Sequence, residues 1–170
     1  MHMRFLSSNK KHSIKTTSAG FGLIEIVIGA AVLSLSLLGI SSYYQQALNV
    51  SQRTGNFVRA AFLMEEGIEV AKFFRDTSWT NISGFTSGAT YYLSWNGSTW
   101  ATTTTNTFVD GMFERKLVVD NVSRDSNDDI VSSGGTLDAG TKKATVSVSW
   151  NEKGATTTKS VSTYLTNFFN

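Results

Sequence analysis

Asp125, Asn127 and Asp129 stand at alternate positions in the stretch SRDSNDDIVSSGGTLDAG (123–140), with Asp128 and Asp138 close by. Carboxylate and amide oxygens are hard ligands, and that alternation suits part of a calcium-binding loop. The stretch lacks the glycine at the sixth loop position and the closing bidentate glutamate that such a loop uses. A solvated Asp/Asn turn between strands accounts for the same letters. Little else in the chain could do chemistry. There is no cysteine, which excludes thiol catalysis, a disulfide framework and a thiolate metal site. Both histidines, His2 and His12, fall within the first 20 residues. A body without His or Cys supports neither histidine-based metal hydrolysis nor a Ser-His-Asp triad. GGTLDAG is rich in glycine but reads as a turn, without the helix that a phosphate loop requires. The composition points away from an enzyme.

The most unusual carboxylate is Glu25. It lies in GFGLIEIVIGAAVLSLSLLGI (20–40), where Phe21 to Ile40 form an apolar run of 20 residues whose only other polar members are Ser34 and Ser36. As a helix the run reaches ~30 Å, the thickness of a bilayer's hydrocarbon core. Helical serines can bond back to a carbonyl one turn earlier, so they are tolerated there. Arg4, Lys10, Lys11 and Lys15 precede the run with no acid among them. Four of the 15 basic residues thus lie in the leader, leaving 11 against 13 acidic ones after Gly20, a net charge of −2. The positive-inside rule puts residues 1–20 in the cytoplasm and the body outside. An ordinary cleaved signal has a shorter apolar region and a small-x-small site, and this run has neither. Glu25 lies ~6 Å along the helix from Phe21, near the interface, where a carboxylate costs much less than at the bilayer centre.

The residues Gly20-Phe21-Gly22-Leu23-Ile24-Glu25, after a short basic leader, resemble the processing motif of type IV prepilins and pseudopilins. Serine or threonine is frequent where this chain has Gly22. The resemblance covers roughly the first third of the chain, and its implications are specific. A prepilin peptidase would cut after Gly20 and methylate the new N-terminus at Phe21. Glu25 would then be an assembly residue, its carboxylate meeting the Phe21 amine of a neighbouring subunit inside a helical filament. In a low-dielectric core a lone charge is expensive, whereas a paired one is tolerable and fixes register. The plainer role for Glu25 is to sit in the first turn of its own helix, where an acid interacts favourably with the dipole.

These residues must be positioned by a long helix. No proline interrupts the chain, and Phe57, Ala61, Met64, Ile68, Ala71 and Phe74 recur at steps of three and four, one apolar stripe. We expect a single helix from about Phe21 to Arg75, ~80 Å long. It is apolar almost all round over residues 21–44 and amphipathic over 45–76. Gly39, Gly55 and Gly67 each weaken it by roughly 1 kcal/mol against alanine. Many pilins carry a proline in the apolar helix, and this chain departs from them there.

After Trp79 the period falls to two. ATYYLSW (89–95) places Tyr91, Leu93 and Trp95 on one face, MFERKLVVDNV (112–122) turns Phe113, Leu117 and Val119 inward, and KATVSVSW (143–150) alternates through Ala144, Val146, Val148 and Trp150. NEKG (151–154) reads as a hairpin loop whose glycine takes a positive φ. The last strand, about 155–167, returns through Val161, Thr163 and Leu165. With no disulfide to staple the C-terminus, strand pairing and burial of Tyr164, Phe168 or Phe169 would have to hold it.

The expected fold class is therefore α+β, a long N-terminal helix packed on a C-terminal antiparallel sheet of three to five strands spanning about 89–167. Its parts are a leader (1–20), a transmembrane and assembly helix (21–44) and an extracytoplasmic domain (45–170). Lys142, Lys143, Lys153 and Lys159 flank the final hairpin, where lysine commonly blunts sheet-to-sheet pairing. A basic patch for DNA, as in uptake pili, is the lesser reading. Asn96-Gly97-Ser98 and ATTTTNT (101–107) match sugar-acceptor patterns that Ser/Thr-rich loops produce by chance. The resemblance implies a structural filament subunit with copies of itself or related pilins as partners, held in the inner membrane and then assembled outside. A type II secretion pseudopilin and a single-span membrane protein displaying a DNA-binding or surface-adhesion domain are the alternatives. No cofactor beyond calcium is implied.

Overall fold

The computed structural model describes Gly20 and residues 22–168. The chain divides into two compact units, residues 1–47 and 48–170. Helix α1, Leu23–Thr77, passes through both and ends two residues beyond the expected Arg75. In the first unit, none of the most apolar 18-residue window of α1 is buried. Ser34 and Ser36 donate to the carbonyls of Ala30 and Val32 at 2.8 Å, the back-bonding that lets a hydroxyl sit in an apolar helix.

The second unit is an α+β domain. After α1 come a five-residue helix, α2 (Trp79–Ser83), and strands β1 (Thr90–Trp95), β2 (Trp100–Thr103), β3 (Phe108–Val109), β4 (Phe113–Arg124), β5 (Ile130–Val131), β6 (Thr136–Glu152) and β7 (Ala155–Thr166). All pairings are antiparallel, and the main path runs β2-β1-β4-β6-β7. β3 and β5 add two-residue pairings to β4. The described residues thus form seven strands against the three to five expected; β1, β4, β6 and β7 fall on the four period-two segments, and β2 does not.

The core forms where the second part of α1 lies on the sheet. Ile68, Val70 and Ala71 pack with Ile82, Leu93, Leu117, Val119, Ala144, Val146 and Leu165, and a smaller cluster joins Ala60 to Phe113, Val148 and Trp150. The stripe of α1 needs correction. Met64, Ile68, Ala71 and Phe74 face the sheet as expected, and half-exposed Phe57 meets Trp150 of β6 edge to face at 6.1 Å, but Ala61 is exposed and Ala60 is fully buried. Apolar letters alone do not distinguish Ala60 from Ala61; the sheet selects the face. Gly67 explains the selection. A Cβ there would lie 2.7 Å from Val146 Cγ1, so the bare backbone admits β6 closer than any side chain would. Read only as a weak point in the helix, Gly67 is a contact surface.

The strands bury alternate residues until local chemistry intervenes. On β4, Phe113, Arg115, Leu117 and Val119 face inward, then a bulge between Asn121 and Val122 shifts the parity and buries Val122. Arg115 is 3% exposed because Glu66 of α1 pairs with its guanidinium, which also stacks on Trp100 with Cζ 5.2 Å from the ring centroid. Trp95, expected inward, falls at the end of β1 and is exposed beside Trp100. GGTLDAG is not wholly a turn, since β6 already begins at Thr136. β7 buries Leu165 but leaves Val161 and Tyr164 exposed, and Phe168, two residues past its end, is exposed too. Of the two expected holds on the C-terminus, strand pairing is present as twelve rungs between β6 and β7, whereas burial of Tyr164 and Phe168 is not, and Arg75 lies 4.8 Å from the Phe168 ring. Lys153 (φ 52°) and Gly154 (φ 84°) make a two-residue hairpin turn, both residues left-handed, which matches the twist of the flanking strands.

Candidate functional site

Two regions hold the residues singled out for function. At the start of α1, Leu23 is the first helical residue, which makes Gly22 the cap and Glu25 the third position. Gly22 N–H donates to Glu25 Oε2 at 3.1 Å, the reach-back half of a capping box. The carboxylate thereby satisfies one amide that the helix cannot and sits at the positive end of the dipole. Gly20 is described without a helix or strand assignment. Residues 1–19 of the leader, with His2 and His12, as well as Phe21 and Phe169, lie outside the described residues. Beyond Glu25, the side chains of α1 up to Ser42 offer no charge, and its leucines, isoleucines and valines are exposed. This is the one helix among the described residues long and apolar enough to cross a membrane.

The loop after β4 is built around Asp125. Its Oδ1 accepts the N–H of Asn127 at 2.8 Å and of Asp129 at 3.0 Å, and Asp125 and Asp129 are further joined through the backbone. That is the Asx turn of the plainer reading. Arg124 then fastens the loop to β6. Its Nε donates to Asp138 Oδ2 at 2.7 Å and Nη1 to the Asp128 carbonyl at 2.7 Å. The Arg124 guanidinium and the Thr141 hydroxyl hold the Asp138 carboxyl below its usual value, and Asp138 in turn raises Arg124. Arg124 thus supplies a cation to Asp138 and, at 3.6 Å, to Asp128. Among the described residues no three acidic or histidine side chains are grouped to hold a metal ion. The structure brings Asp125, Asn127 and Asp129 together as an Asx turn.

The lysines are not gathered into one patch. Lys142 and Lys143 face opposite sides of β6 next to Asn121 and Asp120, Lys153 occupies the hairpin turn, and Lys159 lies over the Phe57 ring at 4.9 Å. Eleven strand positions separate Lys142 from Lys153, ~36 Å. Asn96 of the sequon uses Oδ1 to accept the amides of Ser98 and Thr99 in the β1–β2 turn.

One feature escaped the reading of residue types. An open cleft of ≈ 580 Å³ lies among the end of α1, α2 and the β1–β2 hairpin. Its aromatic residues come from four separate segments, and no periodicity links them. The only signal in the sequence was the density of aromatic and Thr/Asn letters between positions 73 and 102.

No protein-family model, no curated protein and no solved structure matches the chain. The fold and site define a class: an α+β domain continuous with a helix able to cross a membrane.

Proposed function

We propose that the chain is a structural, non-enzymatic subunit of a type IV pilus or pilus-like filament. It is processed by prepilin peptidase after Gly20 and assembled through its N-terminal helix. Before assembly it sits in the inner membrane in a single pass, N-terminus in the cytoplasm and body outside. Its partners are copies of itself or related pilins, and its final place is an extracellular or periplasmic filament.

The observation that carries this reading is the uncovered apolar part of α1 with one carboxylate in its first turn. An anchor alone needs apolar length and no acid. Among the described residues Glu25 has one backbone amide as partner, and a carboxylate in a desolvated bundle gains far more from a cation. The Phe21 amine of a neighbour, freed by cleavage, is of the right charge and at the right end of the helix. The basic leader and the Gly20-Phe21 junction support the same route.

Two measurements test it. Intact mass and N-terminal fragmentation of the protein from its native membrane should give a chain beginning at methylated Phe21. A chain beginning at Met1 would leave the single-span membrane-anchored domain as the better reading. Glu25→Ala should insert normally yet be lost from filaments. Glu25→Gln, which keeps an oxygen for the Gly22 amide but no charge, should fail in the same way. Normal filaments from Glu25→Gln would reduce the residue to a helix cap.

A further inference from the structure

We propose that the cleft between α2 and the β1–β2 hairpin binds a short neutral saccharide. The cleft is lined by residues between 73 and 102, and the inference is independent of the filament reading. Twelve residues line the cleft, and none carries a charge. Five are aromatic, five bear a hydroxyl or carboxamide, and the remaining two are Gly84 and Ala101. Its volume falls within the range of small-molecule sites, ~300–1,000 Å³.

The composition selects among ligands. An acidic sugar, a nucleotide or a peptide terminus would call for a charged partner, and the wall supplies none. The hydroxyls of Thr77, Thr80 and Thr99 already bond to the Phe73 carbonyl, the Ser78 hydroxyl and the Trp100 carbonyl, but a lipid tail would offer nothing to the Asn81 Oδ1 or the Thr102 hydroxyl. A pyranose ring has what both kinds of wall require. One face presents C–H groups to an aromatic plate, and its edge presents hydroxyls that donate and accept.

The plates are fixed in advance. Phe85 and Tyr91 meet edge to face at 4.5 Å between centroids, and the Tyr91 hydroxyl accepts the Thr86 amide at 3.2 Å, leaving its proton to donate. Trp100 is held by the buried Arg115 guanidinium and by Trp95, 5.4 Å away. Phe73, half exposed, stands at the α1 side. Asn81 donates weakly to the Phe74 carbonyl at 3.4 Å, and its Oδ1 has no hydrogen-bond partner among the described residues. Rigid aromatics with a free amide oxygen keep the ordering cost of binding low.

The full chain, held in nanodiscs of uncharged phospholipid so that no sugar-headed detergent competes, is applied to an array of neutral and acidic oligosaccharides. We expect retention of one or more neutral glycans and weaker retention of their acidic counterparts. Phe73→Ser and Asn81→Ala, both at exposed positions and each with the wild-type circular dichroism spectrum and Tm, should each lower that retention about tenfold. The proposal is overturned if no neutral glycan is retained above the empty-nanodisc level. It is equally overturned if acidic glycans bind as well or better, or if both folded variants bind as the wild type does.

Discussion

Gly55 and Gly67 lie twelve residues apart on the same helix, and their surroundings could hardly differ more. A Cβ at Gly55 would meet nothing within 4 Å; one at Gly67 would strike Val146. The contrast holds for α1 at large. Leu33, in the first unit, is 65% exposed, whereas Leu117, on the sheet opposite the second part of the helix, is fully buried. Backbone conformation is the same throughout, so helix propensity cannot tell these regions apart. What distinguishes them is whether the chain itself provides the cover. Residues 60–74 find it in their own sheet. Residues 23–40 do not, and under the function proposed above lipid and then neighbouring helices provide it.

The comparison can be broken at several points. The largest effect is expected from Leu117→Ala, which should lower the unfolding free energy of the full chain in micelles by about 2–5 kcal/mol. Leu33→Ala should change it by less than about 0.5 kcal/mol. Equal effects in chemical denaturation followed by tryptophan fluorescence would mean that the apolar run belongs to the cooperative core. Gly67→Ala should cost about 1–3 kcal/mol by overpacking against Val146, even though alanine favours the helix. Gly55→Ala should instead stabilise by about 0.4–1 kcal/mol. A stabilising Gly67→Ala would show that the helix can lift off β6 without loss.

The smallest effect concerns the loop after β4. Asp138 has a lowered pKa in the folded chain, so it contributes stability above the unfolded carboxylate value, about 3.9. That contribution is lost as pH falls through the folded pKa. Asp138→Asn should therefore reduce Tm slightly at neutral pH and match the wild type once the pH is well below 3. A Tm difference that persists in strong acid would assign the effect to packing or to the Thr141 contact instead of the Arg124 ion pair.

Much of the domain was legible in the sequence because its signals are periodic. Alternation through Ala144, Val146, Val148 and Trp150 marks β6, and spacing of three and four marks α1. What periodicity cannot carry was missed. The bulge at Asn121/Val122 moves burial by one residue without a change in letter pattern. Arg115 sits in phase with Phe113 and Leu117, yet its burial depends on Glu66, 49 residues away. Helix α2 is five residues long, too short for a period to register. The place of Glu25 in the first turn of α1 is legible for the opposite reason, since it and Gly22 act through neighbours in the chain. The aromatic cleft is not, because its walls are assembled only when α1, α2 and two strands have come together.

The left-handed pair Lys153-Gly154 has a consequence for chain entropy. Two residues intervene between Glu152 and Ala155, the first rung of the β6–β7 ladder. Gly67 and Val146, which meet in the core, are separated by 79 positions. Loop-closure entropy grows with the logarithm of the span, and between these two closures the difference is about 3 kcal/mol. The hairpin can therefore be ordered by its own turn and cross-strand bonds. Bringing the helix onto it carries the long closure, and the fit of a bare glycine against a valine is among the contacts that must offset it.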